Sequence, residues 1–195
     1  VPDRAGFEEA EPLLNGVGER FGLEAALLPI RSVGVKADLR AYEHPVLLTG
    51  SAPWDTLIQA ASAVTKEIPG INRCIWNLSP DAPTSTTPLA TTVTRERLDL
   101  LREADHIVME ALRRHGLYDE IWQCPTVLVP LRLGDREGEL VVVRPVLSER
   151  AMTARPYPLP EAVLEDLRGE IMDLSGVSGL ALDITSKPPG TIEWE

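Results

Sequence analysis

Three stretches of this 195-residue chain recur in the same order about a hundred residues further on. Leu27-Leu-Pro-Ile-Arg31 parallels Leu128-Val-Pro-Leu-Arg132, and His44-Pro-Val46 parallels Arg144-Pro-Val146. The run from Ile68 to Leu78 parallels the run from Leu174 to Ile184. Two unrelated hairpin-plus-helix units could share one such landmark, but three at a nearly constant offset argue for a tandem duplication. Each copy has little more than the minimum length for a core of its own. The two are therefore expected to pack together as a pseudo-twofold pair.

The periodicities support the same division. Residues 7–22 have a helical stripe (Phe7, Ala10, Leu13, Leu14, Val17), while 23–33 and 39–49 read as strands. Pro45 cannot donate a ladder hydrogen bond, which predicts a sheet edge or a bulge there. Trp54, Leu57, Ile58, Ala61, Val64 and Ile68 form the apolar face of a helix that Pro69-Gly70 ends, before a strand from Ile71 to Leu78. Residues 79–93 are rich in Pro, Ser and Thr and read as a linker. Thr94 then caps a long helix, and strands at 126–133 and 139–147, a helix near 160–174 and a strand at 179–185 repeat the earlier order. The expected fold class is α+β, with residues 1–78 and 94–195 as homologous subdomains, each a small mixed sheet packed against helices.

Charge limits the partners. Nineteen basic against thirty acidic side chains leave a net charge of −11, and no basic run exceeds Arg113-Arg114. Nucleic acid and anionic membrane are therefore not expected as partners, and an anionic ligand must be small and held by a few placed cations. No apolar stretch approaches the length of a membrane span and the N-terminus has no signal-peptide pattern, so a cytoplasmic location with Cys74 and Cys124 as reduced thiols is expected. A first residue of valine suggests an excised piece of a longer protein.

The copies differ most after their last strands. Copy one reads Leu78-Ser-Pro-Asp-Ala-Pro83 and copy two Ile184-Thr-Ser-Lys-Pro-Pro189, so Asp81 stands where the other copy has Lys187. A lysine before two stiff prolines can anchor a phosphate as a point charge, or can be an ordinary loop lysine. The penultimate Trp194 needs a groove, as a packing anchor for the tail or as part of a site.

Asp183-Ile-Thr-Ser-Lys-Pro-Pro-Gly-Thr-Ile-Glu-Trp-Glu195 resembles the ending of the GMP synthase C-terminal domain throughout. Ser32-Val-Gly-Val-Lys-Ala-Asp-Leu-Arg-Ala-Tyr-Glu-His-Pro-Val46 is similar to that family's SVGVxGDxRTYEYPV strand pair. Glu67–Arg73, Met152-Thr-Ala154, Leu98–Asp105 and Gly116–Gln123 resemble further landmarks, and two copies are similar to the vertebrate-type architecture. The resemblance implies the XMP-binding and dimerisation part of an enzyme that aminates XMP to GMP with ATP and glutamine. Matched residue by residue, it implies XMP contacts at Asp38, Gln123, Lys187 and Glu193, and Arg40 is added as a second cation near the phosphate. Without the resemblance, Asp38 reads as a hairpin-turn aspartate and Gln123 as a helix-terminal hydrogen-bonding residue. Ala37 stands where the family has Gly, which alters the turn beside Asp38.

No glycine-rich SGGxDS loop for ATP is present, nor a cysteine elbow paired with histidine, nor metal-ligand spacing. No catalytic residue and no cofactor is assigned to this chain. ATP and Mg are expected on an ATP-pyrophosphatase domain, which with a glutaminase domain would be a partner. A free-standing nucleotide-binding or assembly module is the alternative. If the copies pair internally, the chain is expected to exist as a monomer, with any homodimer weaker than in single-copy relatives.

Overall fold

The computed structural model describes residues 4–36 and 39–194. The first half runs α1 (Arg4–Phe21), β1 (Glu24–Leu27), β2 (Ser32–Lys36), β3 (Leu39–Thr49), α2 (Trp54–Glu67) and β4 (Ile71–Asn77). After β5 (Thr86–Pro88) come α3 (Arg95–Arg114), β6 (Thr126–Val129), β7 (Leu131–Leu133), β8 (Glu139–Val143), β9 (Val146–Leu147), β10 (Arg155–Pro156), α4 (Glu161–Met172) and β11 (Val177–Asp183). Local chemistry sets the helix ends. Thr94 Oγ1 accepts the Arg97 amide at 3.3 Å, satisfying an otherwise orphan donor of α3. At the other end Gly116 adopts φ 70°, which lets the Leu117 amide reach the Leu112 carbonyl at 2.8 Å.

The strands of both halves join one mixed sheet in the order β1-β3-β4-β11-β8-β6, with β2 also paired to β3. This replaces the two small sheets expected from the sequence. The physical reason is the apolar character of β4 and β11. Left as the edges of separate sheets, they would expose unpaired backbone groups. They pair antiparallel instead, placing Trp76 opposite Leu182. Outward from this central pair, β3 runs parallel to β4 and β8 parallel to β11, and the outer strands β1 and β6 are antiparallel to their neighbours. The pairing types therefore read the same from either end.

The register corrects one landmark. Leu27 pairs with Val46, and Leu128 pairs with Val141, so Val46 corresponds to Val141 and not to Val146. Arg144-Pro-Val146 lies past the end of β8, since Pro145 has no N–H to extend the ladder. Pro45 lies inside β3, an interior strand, at a register shift against β4 between His44 and Pro45. The bulge expectation thus holds and the edge expectation does not.

The four helices of the described residues cover one face. Leu14, Leu57, Val64, Val108, Leu112, Val163 and Leu167 pack there against Val46, Leu48, Val141, Leu180 and Leu182. The opposite face has a second cluster of Leu28, Leu47, Ile75, Leu131, Leu140, Val142 and Ala181, capped by Trp194. With both faces covered, every residue of β8 and β11 is buried, with Leu180, Leu182 and the adjoining Ile184 in the helix-side cluster and Ala181 in the opposite one. Each fully buried Leu, Ile or Val contributes roughly 1.5–3 kcal/mol through removal from water. Within the expected linker, β5 pairs antiparallel with β7. No helix among the described residues is long and apolar enough to cross a membrane.

Candidate functional site

Residues 184–194 leave β11 and cross to the first half, where they lie along β2. The Val35 amide donates to the Pro189 carbonyl at 2.7 Å, the Thr191 amide to Val33 at 3.3 Å, and the Val33 amide to Trp194 at 3.3 Å. Gly34 makes this approach possible. A Cβ there would lie 2.6 Å from the Pro189 oxygen and 2.7 Å from Asn72 Cβ, both closer than real contacts. Gly34→Ala is therefore expected to push the tail off β2 and cost about 1–3 kcal/mol as overpacking. Thermal melting together with amide exchange of Val35 and Thr191 measures both effects.

A buried ion triad fastens the same segment. Arg73 Nη1 donates to Asp183 Oδ2 at 2.6 Å and Arg144 Nη1 lies 2.7 Å from Asp183 Oδ1, with all three side chains fully buried. Trp194 Nε1 also donates to Asp183 Oδ2, at 2.8 Å, and its ring lies 4.6 Å from the Arg73 guanidinium carbon. Arg73 further donates to the Thr191 carbonyl and hydroxyl and to the Val33 carbonyl. Burial would raise the Asp183 carboxyl, but Arg144, Arg73 and the Thr185 amide outweigh it and hold the group below its ordinary value. Burial lowers Arg144 to about 10 against the opposing pull of Asp183, so it remains cationic at neutral pH.

The sequence-predicted residues fall around this tail. Lys187 is half-buried, and its backbone exchanges two hydrogen bonds with Ala154, of 2.8 and 3.1 Å. Gln123 is exposed, and its backbone pairs with Val146. Glu193 is exposed between buried Ile192 and Trp194, near enough for its charge to raise the affinity of Arg144 for its proton. One small apolar cluster links the three: Val146 is the partner of Gln123, Ala154 is the partner of Lys187, and Ile192 precedes Glu193. Arg40 is exposed on β3 opposite Val35, one strand away from the tail. Asp38 lies outside the described residues.

Beside this cluster opens a depression of about 1050 Å³, lined by the carboxylates Asp119, Glu120 and Glu149 together with Trp122, Arg150, Ala154 and Arg155, while Gln123, Lys187, Glu193 and Arg40 do not line it. Its size suits a nucleotide. Trp122 and Met152 are exposed at its rim. Among the described residues no group of three or more His, Cys, Asp or Glu is arranged to hold a metal, and both cysteines are free thiols. Burial, and then the Asp183 charge, push the Cys74 thiol up, which suits packing better than nucleophilic chemistry.

Sequence reasoning did not assign Arg73, Arg144, Asp183 or Gly34 to the site. A charged residue within an apolar strand was the available signal, in Asn72-Arg-Cys74 and in Leu182-Asp-Ile184. Burial of a charge is costly unless it is paired, so such residues call for partners from elsewhere in the chain.

Fold and site together define an α+β domain whose C-terminal segment lies along β2 and is joined to the wall of an open depression through the Lys187–Ala154 backbone bridge. Residues 110–194 match the family model described as the GMP synthase C terminal domain. A probable glutamine-hydrolysing GMP synthase of Leptospira interrogans is 38% identical over 186 residues, covering 89% of this chain and 29% of that protein. The GMP synthase of Leifsonia xyli is 51% identical over 111 residues, covering 53% of this chain and 22% of that protein. That of Symbiobacterium thermophilum is 49% identical over 110 residues, with 53% and 21% covered. The chain thus spans between a fifth and a third of the length of these relatives.

Proposed function

We propose that this chain is the XMP-binding and dimerisation part of a two-copy GMP synthase. It would contribute the nucleotide pocket for ATP- and glutamine-dependent amination of XMP to GMP. The observation that carries this reading is the convergence of Gln123, Lys187 and Glu193 on the Val146–Ala154–Ile192 cluster, of which Ala154 lines the depression. Lys187 would pair with the phosphate, while Gln123 and Glu193 would hydrogen-bond the base or ribose. Arg40 on β3, and Asp38, which precedes it in the chain, would complete the site. The adenylylating ATP-pyrophosphatase domain, with ATP and Mg, and the glutaminase domain would act as partners in the cytoplasm.

The two-copy reading, with residues 1–78 and 94–195 flanking a linker at 79–93, draws support from repeated hydrogen bonds. Thr185 Oγ1 accepts from the Cys74 amide at 2.8 Å and donates to the Cys74 carbonyl at 2.9 Å. Ser79 Oγ does the same with Leu180, at 3.0 and 3.3 Å. These four residues are counterparts in the sequence repeat, and Trp76 and Leu182, also counterparts, meet at the centre of the sheet. An isologous pairing has this form. The relatives fit as well, one covering nearly the whole chain and others about half. A duplication of this kind is similar to the vertebrate-type architecture.

The copies are unequal, with Lys187 in one and Asp81 in the other, so a single nucleotide per chain is expected. Calorimetric titration of the chain with XMP, with the catalytic domains present, measures this. Two equivalent sites, or no heat at millimolar XMP, would sink the reading.

A further inference from the structure

We infer that Arg73, which belongs to the first half of the chain and does not line the depression, is a positioning residue for the nucleotide site of the second half. It would act by clamping the C-terminal tail through Asp183, Thr191 and Trp194. The inference rests on the proposed role of the tail in holding XMP. Four contacts join this one guanidinium to the tail and its root: the pair with Asp183, the two acceptors of Thr191, and the stack on the Trp194 ring. A fifth, to the Val33 carbonyl, ties the same group to the strand on which the tail lies. Every one of these partners except Val33 belongs to the second half, and Arg73 is fully buried among them. Lys187 and Glu193 lie between Asp183 and Trp194 in the chain, so the clamp holds both ends of the segment that carries them.

The clamp occurs once. Across the central strand pair the counterparts of Arg73 and Asp183 are Gly179 and Asn77, which cannot form an ion pair. A side chain at Gly179 would begin 2.7 Å from Leu133 Cδ1 and 3.1 Å from Ser79 Oγ, so that place is filled. Asn77 instead accepts the Ser79 amide and donates to the Asp81 carbonyl, closing its own loop locally. The loop bearing Lys187 is therefore held by a buried guanidinium from across the sheet, whereas the loop bearing Asp81 is joined across it only near its root, through Ser79 and Leu180.

The test compares Arg73→Met, Arg73→Lys and Trp194→Phe in the full chain. Arg73→Met leaves Asp183 with Arg144, the Thr185 amide and Trp194, so the carboxylate keeps partners and the fold is expected to survive. Amide exchange of Val35, Gly190 and Thr191 is expected to rise at least tenfold, while exchange in β8 and β11 stays near wild type. XMP affinity is expected to fall about tenfold, with partial recovery in Arg73→Lys, whose ammonium restores charge but not the fork or the stack. Trp194→Phe keeps an aromatic ring under the guanidinium but loses the indole N–H and the second ring of the indole. It is expected to speed tail exchange several-fold, and it serves as the test should Arg73→Met not fold. Unchanged tail exchange in the folded variants would overturn the clamp. Faster tail exchange with unchanged XMP affinity would overturn the positioning role. If Lys187→Ala also left XMP affinity unchanged, the failure would lie in the nucleotide reading of the tail and not in the clamp.

Discussion

Asp183→Leu is expected to destabilise the chain by about 3–5 kcal/mol, because it leaves two buried guanidiniums facing each other without their shared anion. For a domain of this size that corresponds to a fall in melting temperature of roughly 6–20 °C. Asp183→Asn, of the same shape, keeps one acceptor oxygen and loses the charge, and is expected to fall between leucine and wild type. Replacing all three charged residues by apolar ones of similar volume is expected to recover most of the loss, since a buried ionic group is no better for stability than good packing. Melting curves of the three variants measure the series. A leucine variant within 1 °C of wild type would mean that the triad is not buried as described.

Acid is expected to act on the same group. The folded-state value of Asp183 lies below its ordinary value, so the native state binds fewer protons than the unfolded state as pH falls through the carboxylate range. Its contribution is complete above the unfolded value, near 4, and is lost as pH falls through the lowered folded one. Stability measured from pH 6 to pH 2 in wild type and in Asp183→Asn tests this: the difference between them is expected to shrink below about pH 4. A constant difference would assign the stabilisation to shape and not to charge.

The helices and most strands were legible in the sequence because their signals are local. Thr94 caps α3 as read, the stripe of α2 faces the core, and Gly116 ends α3 through a positive φ. The joining of β4 to β11 was not local and left only the trace that Trp76 and Leu182 are counterparts. The false pair His44-Pro-Val46 and Arg144-Pro-Val146 shows the limit of landmark matching. Pro-Val recurs for two unlike reasons, a bulge inside β3 and the end of β8. Gln123, Lys187 and Glu193 could be named from the resemblance, yet nothing in their spacing shows that Val146, Ala154 and Ile192 bring them together. The clamp was least legible. Arg73 and Asp183 lie within apolar strands and Arg144 just past the end of β8, far apart in sequence, and only the fold gives their charges partners.

Lys187→Ala is expected to weaken XMP binding by about 10- to 150-fold, since a hydrogen bond between two charged groups contributes roughly 1.5–3 kcal/mol. The matched control is Asp81→Ala. Asp81 occupies the equivalent place in the other half, and its carbonyl rather than its carboxylate carries the local hydrogen bond to Asn77. The control should therefore leave XMP affinity and folding nearly unchanged. Lys187 is also held by its backbone, through Ala154, so truncating its side chain should lower the melting temperature by no more than a degree or two. Adding Lys187→Arg separates charge from shape. Arginine keeps the charge but replaces a compact ammonium with a broad fork, so an intermediate loss is expected at a site built for a point charge. The measurement is XMP affinity of the three variants with the catalytic domains present, at two salt concentrations. A phosphate contact predicts that the wild-type advantage over Lys187→Ala narrows as salt rises. Equal affinities of Lys187→Ala and Asp81→Ala would remove the reason for placing the site in the second half.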